Sequence, residues 1–462
     1  MLYRTFTERA GSGMLTDIVG SIDDRSARGI AAAIGRMVTS GALPTDSRLP
    51  TVRALSRALG VSPTTVSEAW QTLAAVGAIE ARGRLGTFVR HPVGPGGPRR
   101  YRRVTAGPGH FALDLSSGTP DPALLPDLGK VVANVSRQSL TSSYLDQPVL
   151  PELDELLRAR WPFPAEDLTV VDGAMDALDR VAQIVVRLGD RVVVEHPTFP
   201  PLLDLLEQLG ADVIGVDVDE EGMSVDGLRE ALTRQPSAVF LQPRAHNPTG
   251  ATMTTRRRKA LAVLLAASEA IIVEDDHSGD IAAGKLMSFG TSMPSRTVHI
   301  RSFSKSHGPD LRLAAIGGAA DVVSAVANRR LLGPGWSSRI LQAVLVGLLN
   351  DPTTAVTLGR ARDEYARRRH LVTEVLAEHA VPSTPGDGIN LWMPVADERS
   401  ALITLAAQGI GAAPGEPFMV RPDADSLRLT VGLLDGSDAE IRATSHQLAD
   451  AAGFTPSRSG HR

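Results

Sequence analysis

From residue 113 onward, apolar runs of four to six residues alternate with stretches in which apolar positions recur every three or four residues. TVVDG precedes AMDALDRVAQIVVRLG, RVVVE precedes PPLLDLLEQLG, ADVIGVDV precedes VDGLREALTRQ, and AVFLQP precedes a helical pattern over 256–268 that leads into AIIVED. Short apolar strands spaced by amphipathic helices predict a parallel sheet covered on both faces, with ligands gathered beyond the strands' C-terminal ends. Past residue 350 the pattern changes to a long charged helix over 354–379, then INLWMP, SALITLAAQG and SLRLTVG, which predict a smaller α+β subdomain.

The first 90 residues follow another plan. RGIAAAIGRMVTSGAL predicts a helix closed by Gly41, and SRLPTVRALSRALG a second from Thr51 to Gly60. VSPTTVSEAWQTLAAVG predicts a third, with Ser62 as N-cap and Pro63 at the first helical position. AIEARGRLGTFVR alternates and turns at Gly83 to Gly86, a two-stranded ribbon. This order is that of an α+β winged helix-turn-helix over residues 16–90, the alternative being a small helical domain for protein contacts. In such a domain the third helix offers Ser62, Thr64 and Thr65 to bases and phosphates, while Arg53 and the wing residues Arg82 and Gly83 meet the backbone. Residues 91–112, rich in Pro, Gly and Arg, predict a linker with solvated arginines, leaving 113–456 as the body.

Charge sharpens this division. Residues 1–110 carry 15 arginines against 7 carboxylates, or +8, leaving 33 cationic against 45 anionic groups, or −12, in the rest of the 462-residue chain. A basic head on an acidic body predicts double-stranded DNA as the head's partner. Cysteine is absent, which removes thiolate nucleophiles, zinc-thiolate sites and disulfides. The sequence offers no run long and apolar enough for a membrane helix and no signal-peptide core, so a cytoplasmic protein is expected.

Candidate chemistry centres on RSFSKSHGPDLRL, residues 301–313, where Lys305 sits among small hydroxylated residues. Other candidates occupy successive strand exits: the turn at Gly173, Ala174 and Met175, Phe199 in HPTF, Asn247 in HNPTG, Asp275 and His277 in EDDH, then Ser302, Ser304 and Arg312. EDDH has a solvated acidic turn or, with Asp280, a hard-metal site as alternatives. Taken together the set supplies an imine-forming lysine, a carboxylate for a pyridinium nitrogen, an aromatic plate, an amide for a phenolic oxygen and a phosphate cup. Those are the parts of a pyridoxal 5'-phosphate site, with no metal. Lys305 forms the Schiff base, Asp275 keeps the ring nitrogen protonated, and Arg312 with Ser302, Ser304 and the Gly173 turn holds the phosphate.

Residues 28–90, through GxLPxxxRLPTxRxLxxxLGVSxxTV, resemble a GntR-type winged helix-turn-helix, and HPTF, HNPTG, EDDH and SFSK with Arg312 resemble a fold type I aminotransferase. Joined by a linker, the two resemble the MocR subfamily of GntR regulators. The resemblance implies that Arg428 in SLRLTVG grips the carboxylate of an amino-acid effector. It further implies that Tyr144 reaches the neighbouring subunit's phosphate in a head-to-tail homodimer whose two heads read paired half-sites. The effector is then the cofactor on Lys305, alone or joined to an amino acid or amine; an active aminotransferase with an accessory head is the alternative. Departures from the family pattern are Ala174 and Met175, which bring no hydroxyl to the phosphate turn, Pro63 in place of a recognition-helix arginine, and Leu150 and Asp154 after Tyr144. His277 stands where a tyrosine commonly supports the phenolic oxygen; an imidazole can donate there, but it adds a group that titrates near neutral pH.

Overall fold

The computed structural model describes residues 13–39, 42–44, 46–75, 78–89, 99–105, 111–135, 143, 146–383 and 386–454. The chain divides into two compact units: Met1–Arg99 with Arg187–Asp190 and Glu207–Asp212, and the remainder. Among the described residues no helix is long and apolar enough to cross a membrane.

In the N-terminal unit, helices Ala27–Thr39, Val52–Leu59 and Pro63–Ala75 are followed by β1 (Ile79–Ala81) and β2 (Thr87–Val89). Each boundary has a local cause. The Thr51 side chain accepts from the Ala54 amide, and Gly60 ends the helix at φ 68, where a side chain would be strained. Ser62 Oγ accepts from the Thr65 amide at 3.1 Å. Ile30, Ile34, Leu55, Leu59, Val66 and Leu73 close one small core. A further helix over 13–20 adds Ile18 to that core; the sequence pattern had left it unassigned. The predicted stop at Gly41 lies outside the described residues.

The second unit opens on β3 (Leu113–Asp114) and builds its main sheet from β4 (Asp167–Val171), β5 (Arg191–His196), β6 (Asp212–Asp219), β7 (Gly222–Met223), β8 (Ala238–Leu241), β9 (Ile271–Asp276), β10 (Thr297–Ser302) and β11 (Ala314–Gly318). Their order is β4-β11-β10-β9-β8-β5-β6-β7. β5, β8, β9 and β10 pair parallel, as predicted. β11 departs from the expected all-parallel sheet: it is antiparallel to both β10 and β4. The short helix Ser304–His307 and the turn after it return the chain to the same sheet edge, so β11 starts where β10 ends. Register makes this useful, because Ala314 faces both Ser302 and Val171 and so brings Arg312 to the turn that follows β4.

A smaller α+β subdomain packs β12 (Leu391–Pro394), β13 (Ile410–Gly411), β14 (Ala413–Pro414) and β15 (Ser426–Leu429) against helices Pro352–Glu378, Glu398–Ala407 and Asp438–Ala452. β15 is central, flanked by β12 and β14, and Arg428 faces Trp392 on one side and Ala413 on the other.

The segment expected to be a solvated linker contains a helix, Arg99–Thr105. Its Arg100 and Tyr101 amides donate to the Asp204 carboxylate at 3.1 Å, Arg100 Nη1 donates to the Met419 carbonyl, and Arg103 pairs with Glu416. Val104 is buried against Ala413 and Phe418. The carboxylate answers the orphan amides of the first turn, which is why a basic, Pro/Gly-flanked segment orders here. Replacing Val104 with Asp removes about 1.5–3 kcal/mol of apolar burial and sets a charge in the same space. Faster amide exchange over 99–105 and 416–420, with β8–β10 unchanged, is the expected result; unchanged exchange at 99–105 would show that Val104 does not hold the helix.

Candidate functional site

The exits of β8, β9 and β10 converge around Lys305, and Arg312 meets the turn after β4. Lys305 lies on the short helix after β10, half-buried, with Nζ 2.9 Å from His277 Nδ1. His277 Nε2 lies 2.9 Å from the Ala245 carbonyl, and a carbonyl only accepts, so the proton sits on Nε2 and Nδ1 accepts from Lys305. Burial, with Lys305 next in weight, pushes the His277 pKa well below its ordinary value and keeps the ring neutral. A neutral imidazole has one N–H, and in this arrangement that one is given to Ala245 and not to a phenolic oxygen.

Burial, then the Arg428 cation, lowers the Lys305 pKa to about 8, with Asp275 opposing. Asp275 is raised to about 6, again chiefly by burial. Its Oδ2 accepts from Gln242 Nε2 at 2.8 Å, while Oδ1 is buried with no partner. Gln242 Oε1 in turn accepts the Asn247 amide at 2.7 Å, and Asn247 Oδ1 is a second buried atom without a partner. Gln242 was missed from sequence, although a polar residue closing the apolar run AVFL was the available signal. Glu195, also missed, fixes the Gln242 amide at 2.7 Å. Phe199 is half-buried in the turn after β5.

At the β4 exit, Gly173 has φ 102 and caps the helix Ala174–Val185. A Cβ there would stand 3.0 Å from Arg312 Nη2, so glycine leaves the space the guanidinium needs. Arg312 Nη2 donates to the Asp172 carbonyl at 3.3 Å, and Ser302 Oγ accepts the Ser304 amide at 3.3 Å. Buried Arg330 ties Asp172 and Asp176 together at 3.0 and 2.8 Å, which fixes this turn from below. Ala174 and Met175 are half-buried at its start, where first-turn amides have no helical acceptor. Tyr144 lies outside the described residues.

Arg428 is buried, and its guanidinium meets only neutral oxygens: Asn390 Oδ1 at 3.2 Å, Thr430 Oγ1 at 2.8 Å and the Ser116 carbonyl at 2.5 Å. Nε has no partner, and burial lowers the pKa to about 10. The Phe418 ring lies 5.6 Å from the guanidinium carbon.

These features fit pyridoxal phosphate. A protonated pyridine nitrogen suits the unpartnered Asp275 Oδ1, a dianion suits the helix start beneath Arg312, and an aldehyde needs an amine as readily neutral as Lys305. Among the described residues no group of three or more His, Asp or Glu side chains is arranged to hold a metal.

In the N-terminal unit Ser62, Thr64 and Arg53 are exposed, Thr65 is half-buried, and the Ser62 and Thr65 hydroxyls lie 2.8 Å apart. Gly83 is exposed at φ 55. Arg82 is engaged with Asp46 at 2.5 Å and with Glu80, and its guanidinium stacks 4.8 Å from the Phe88 ring centre. A phosphate has to compete with two carboxylates there, whereas Arg53 forms no ion pair among the described residues.

The family model for aminotransferase class I and II matches residues 112–443, and that for bacterial regulatory proteins of the gntR family matches residues 26–89. The chain is similar to the vitamin B6 salvage pathway transcriptional repressor PtsJ of Salmonella typhimurium, at 33% identity over 92% of this chain and 99% of the relative. It is also similar to the HTH-type transcriptional regulator TauR of Rhodobacter capsulatus, at 30% identity over 83% of this chain and 88% of that one. Among solved structures, the α-aminoadipate aminotransferase LysN of Thermus thermophilus, complexed with N-(5'-phosphopyridoxyl)-L-leucine, shares the fold with a TM-score of 0.68 at 22% identity, over 77% of this chain and 94% of its own. A gntR-type winged helix-turn-helix followed in one chain by a class I and II aminotransferase domain makes this protein a member of the MocR subfamily of GntR regulators.

Proposed function

We propose that the protein is a pyridoxal phosphate-dependent, DNA-binding transcriptional regulator. The effector is the cofactor held by Lys305, alone or joined to an amino acid or amine. One observation carries the reading: a complete winged helix-turn-helix shares the chain with a domain whose desolvated lysine and unpaired buried Arg428 are both intact. A DNA-reading head serves no purpose in transamination. The Salmonella relative's place in vitamin B6 salvage supports the cofactor itself as signal, and Arg428 supports an amino-acid carboxylate beside it.

When bound, the cofactor supplies an electrophilic carbon and an electron-withdrawing ring. Asp275 holds the ring nitrogen, the Gly173 turn with Arg312, Ser302 and Ser304 holds the phosphate, Asn247 and Phe199 orient the ring, and His277 takes a hydrogen bond from the Lys305 amine. Arg428 pairs with a carboxylate. A signal reaches the head through residues that touch Arg428: Phe418 lies against it and also covers Val104 of the helix that leads back to the N-terminal domain. Two states of a homodimer that bind the effector unequally then present their heads at different spacings to paired half-sites.

Two measurements separate this from a working aminotransferase. Borohydride treatment after adding pyridoxal phosphate should leave a chromophore on the wild type after desalting and none on Lys305→Ala. DNA from beside the protein's own gene should bind with an affinity that pyridoxal phosphate alters in the wild type and not in Lys305→Ala. That affinity should fall about 10³-fold between 50 and 200 mM salt if about six phosphates are neutralised. Salt-insensitive DNA binding, or many turnovers of amino and keto acid with no effect on DNA, overturns the proposal in favour of the enzyme.

The pH dependence follows from the Lys305 shift. Only the neutral amine attacks an aldehyde, so the rate of cofactor capture by the apoprotein should rise with pH and level off above about 8. Arg428 lowers that pKa; Arg428→Met should therefore move the midpoint upward, toward the ordinary lysine value. Stopped-flow absorbance across pH 6 to 10 measures this, and an unmoved midpoint refutes the coupling between the two cations.

A further inference from the structure

Lys305 and His307 are two positions apart on the short helix Ser304–His307 and so point to roughly opposite sides. His307 lines a cavity of about 410 Å³. Its volume is within the range of about 300–1,000 Å³ typical of small-molecule sites. Four guanidiniums contribute to the lining, from Arg160, Arg244, Arg301 and Arg362, against the carboxylates of Asp280 and Asp351. Counting Arg244's buried partner Asp276 still leaves one positive charge in excess.

The carboxylates are already engaged. Asp276 holds Arg244 through two bonds of 2.8 Å, Asp280 takes Arg301 Nη2 at 2.8 and 2.9 Å, and Asp351 caps the helix Pro352–Glu378 through the Thr353 amide at 2.9 Å. The donors are not all engaged. Arg301 Nε and His307 Nε2 are buried without a hydrogen-bond partner, on residues only 4% and 1% exposed. Arg160 gives Nη2 to the Leu349 carbonyl, and Arg362 forms no ion pair among the described residues. The Ser306 hydroxyl lies 2.8 Å from His307 Nδ1; donating there, it leaves the His307 proton on Nε2. Burial lowers the His307 pKa to about 4, so the ring is a neutral donor and not a second cation.

We propose that this cavity is a binding site for a small organic phosphate or a comparable dianion, separate from the turn at Gly173. Guanidiniums pair with phosphate oxygens through two parallel N–H bonds, and here Arg160 and Arg362 act at the exposed side, with Arg301 and His307 on the inner wall. Leu348 and Leu358 give an apolar wall, which suits an ester with a carbon skeleton over the bare ion.

Inorganic phosphate is the probe, titrated into the full chain at constant ionic strength in chloride and followed by calorimetry. Because the Gly173 turn also attracts phosphate, the measurement is made in the Arg312→Gln background. Saturable binding should persist there, and weaken at least tenfold when Arg160→Gln and Arg362→Gln are added, both on exposed side chains whose loss leaves the melting temperature in place. His307→Phe, which keeps a ring of similar bulk, should weaken it as well. Loss of all phosphate binding with Arg312→Gln alone, or binding indifferent to Arg160, Arg362 and His307, overturns the proposal.

Discussion

The Lys305 amine lies 2.9 Å from a histidine nitrogen that carries no proton. A protonated imidazole in that place would face an ammonium in a site with little water, where repulsion between like charges is several times stronger than in solution. Two features prevent it. The Ala245 carbonyl holds the proton on the far side of the ring, and burial keeps the ring from gaining a second one. Lys305 and Asp275 respond to the same desolvation in opposite directions, to about 8 and about 6, so each is less firmly charged than usual. A lysine that gives up its proton easily and a carboxylate with one free oxygen are complementary needs, and one planar cation-forming ring satisfies both.

Strand pairing is what brings these groups together. β10 supplies Ser302 and leads into Lys305; β9, in parallel register beside it, supplies Asp275; β8 leads to Gln242 and Asn247. The antiparallel return of β11 adds what a purely parallel sheet cannot. It delivers Arg312 to the Gly173 turn within one short excursion of the chain, and Gly173 admits it because no Cβ stands in its way. Arg428 comes from another sheet altogether. Its charge reaches Lys305 strongly enough to lower the amine's pKa, yet its own contacts are neutral oxygens that orient a guanidinium without neutralising it.

Much of this was legible in the sequence because it depends on local pattern. Apolar runs marked the strands, Thr51, Gly60 and Ser62 marked helix ends, and the motifs at strand exits marked the pocket. What escaped was long-range. The strand at 314–318 was not read from the sequence, and its direction follows from the brevity of the link to β10. His277 was legible as a member of the pocket but not in its tautomer, since the proton's position is set by a carbonyl 32 residues earlier in the chain. The helix at 99–105 hides in a basic, glycine-flanked stretch because its partner, Asp204, lies about a hundred residues away. Arg82 reads as a free wing cation until Asp46 and Glu80 are placed beside it.

That helix decides what kind of signal the chain can carry. A ligand shifts a conformational equilibrium only by as much as it binds the two states differently, and a flexible tether bears the same relation to both. Residues 99–105 are not such a tether. Asp204 clamps their first turn, and Val104 inserts against Phe418, whose ring also borders the Arg428 guanidinium. A carboxylate that drew Arg428 away from Asn390 or Ser116 would therefore act on the packing of Phe418, and through it on the helix at 99–105. A helix docked at 99–105 therefore has contacts that can differ between two states, which a fully solvated segment does not.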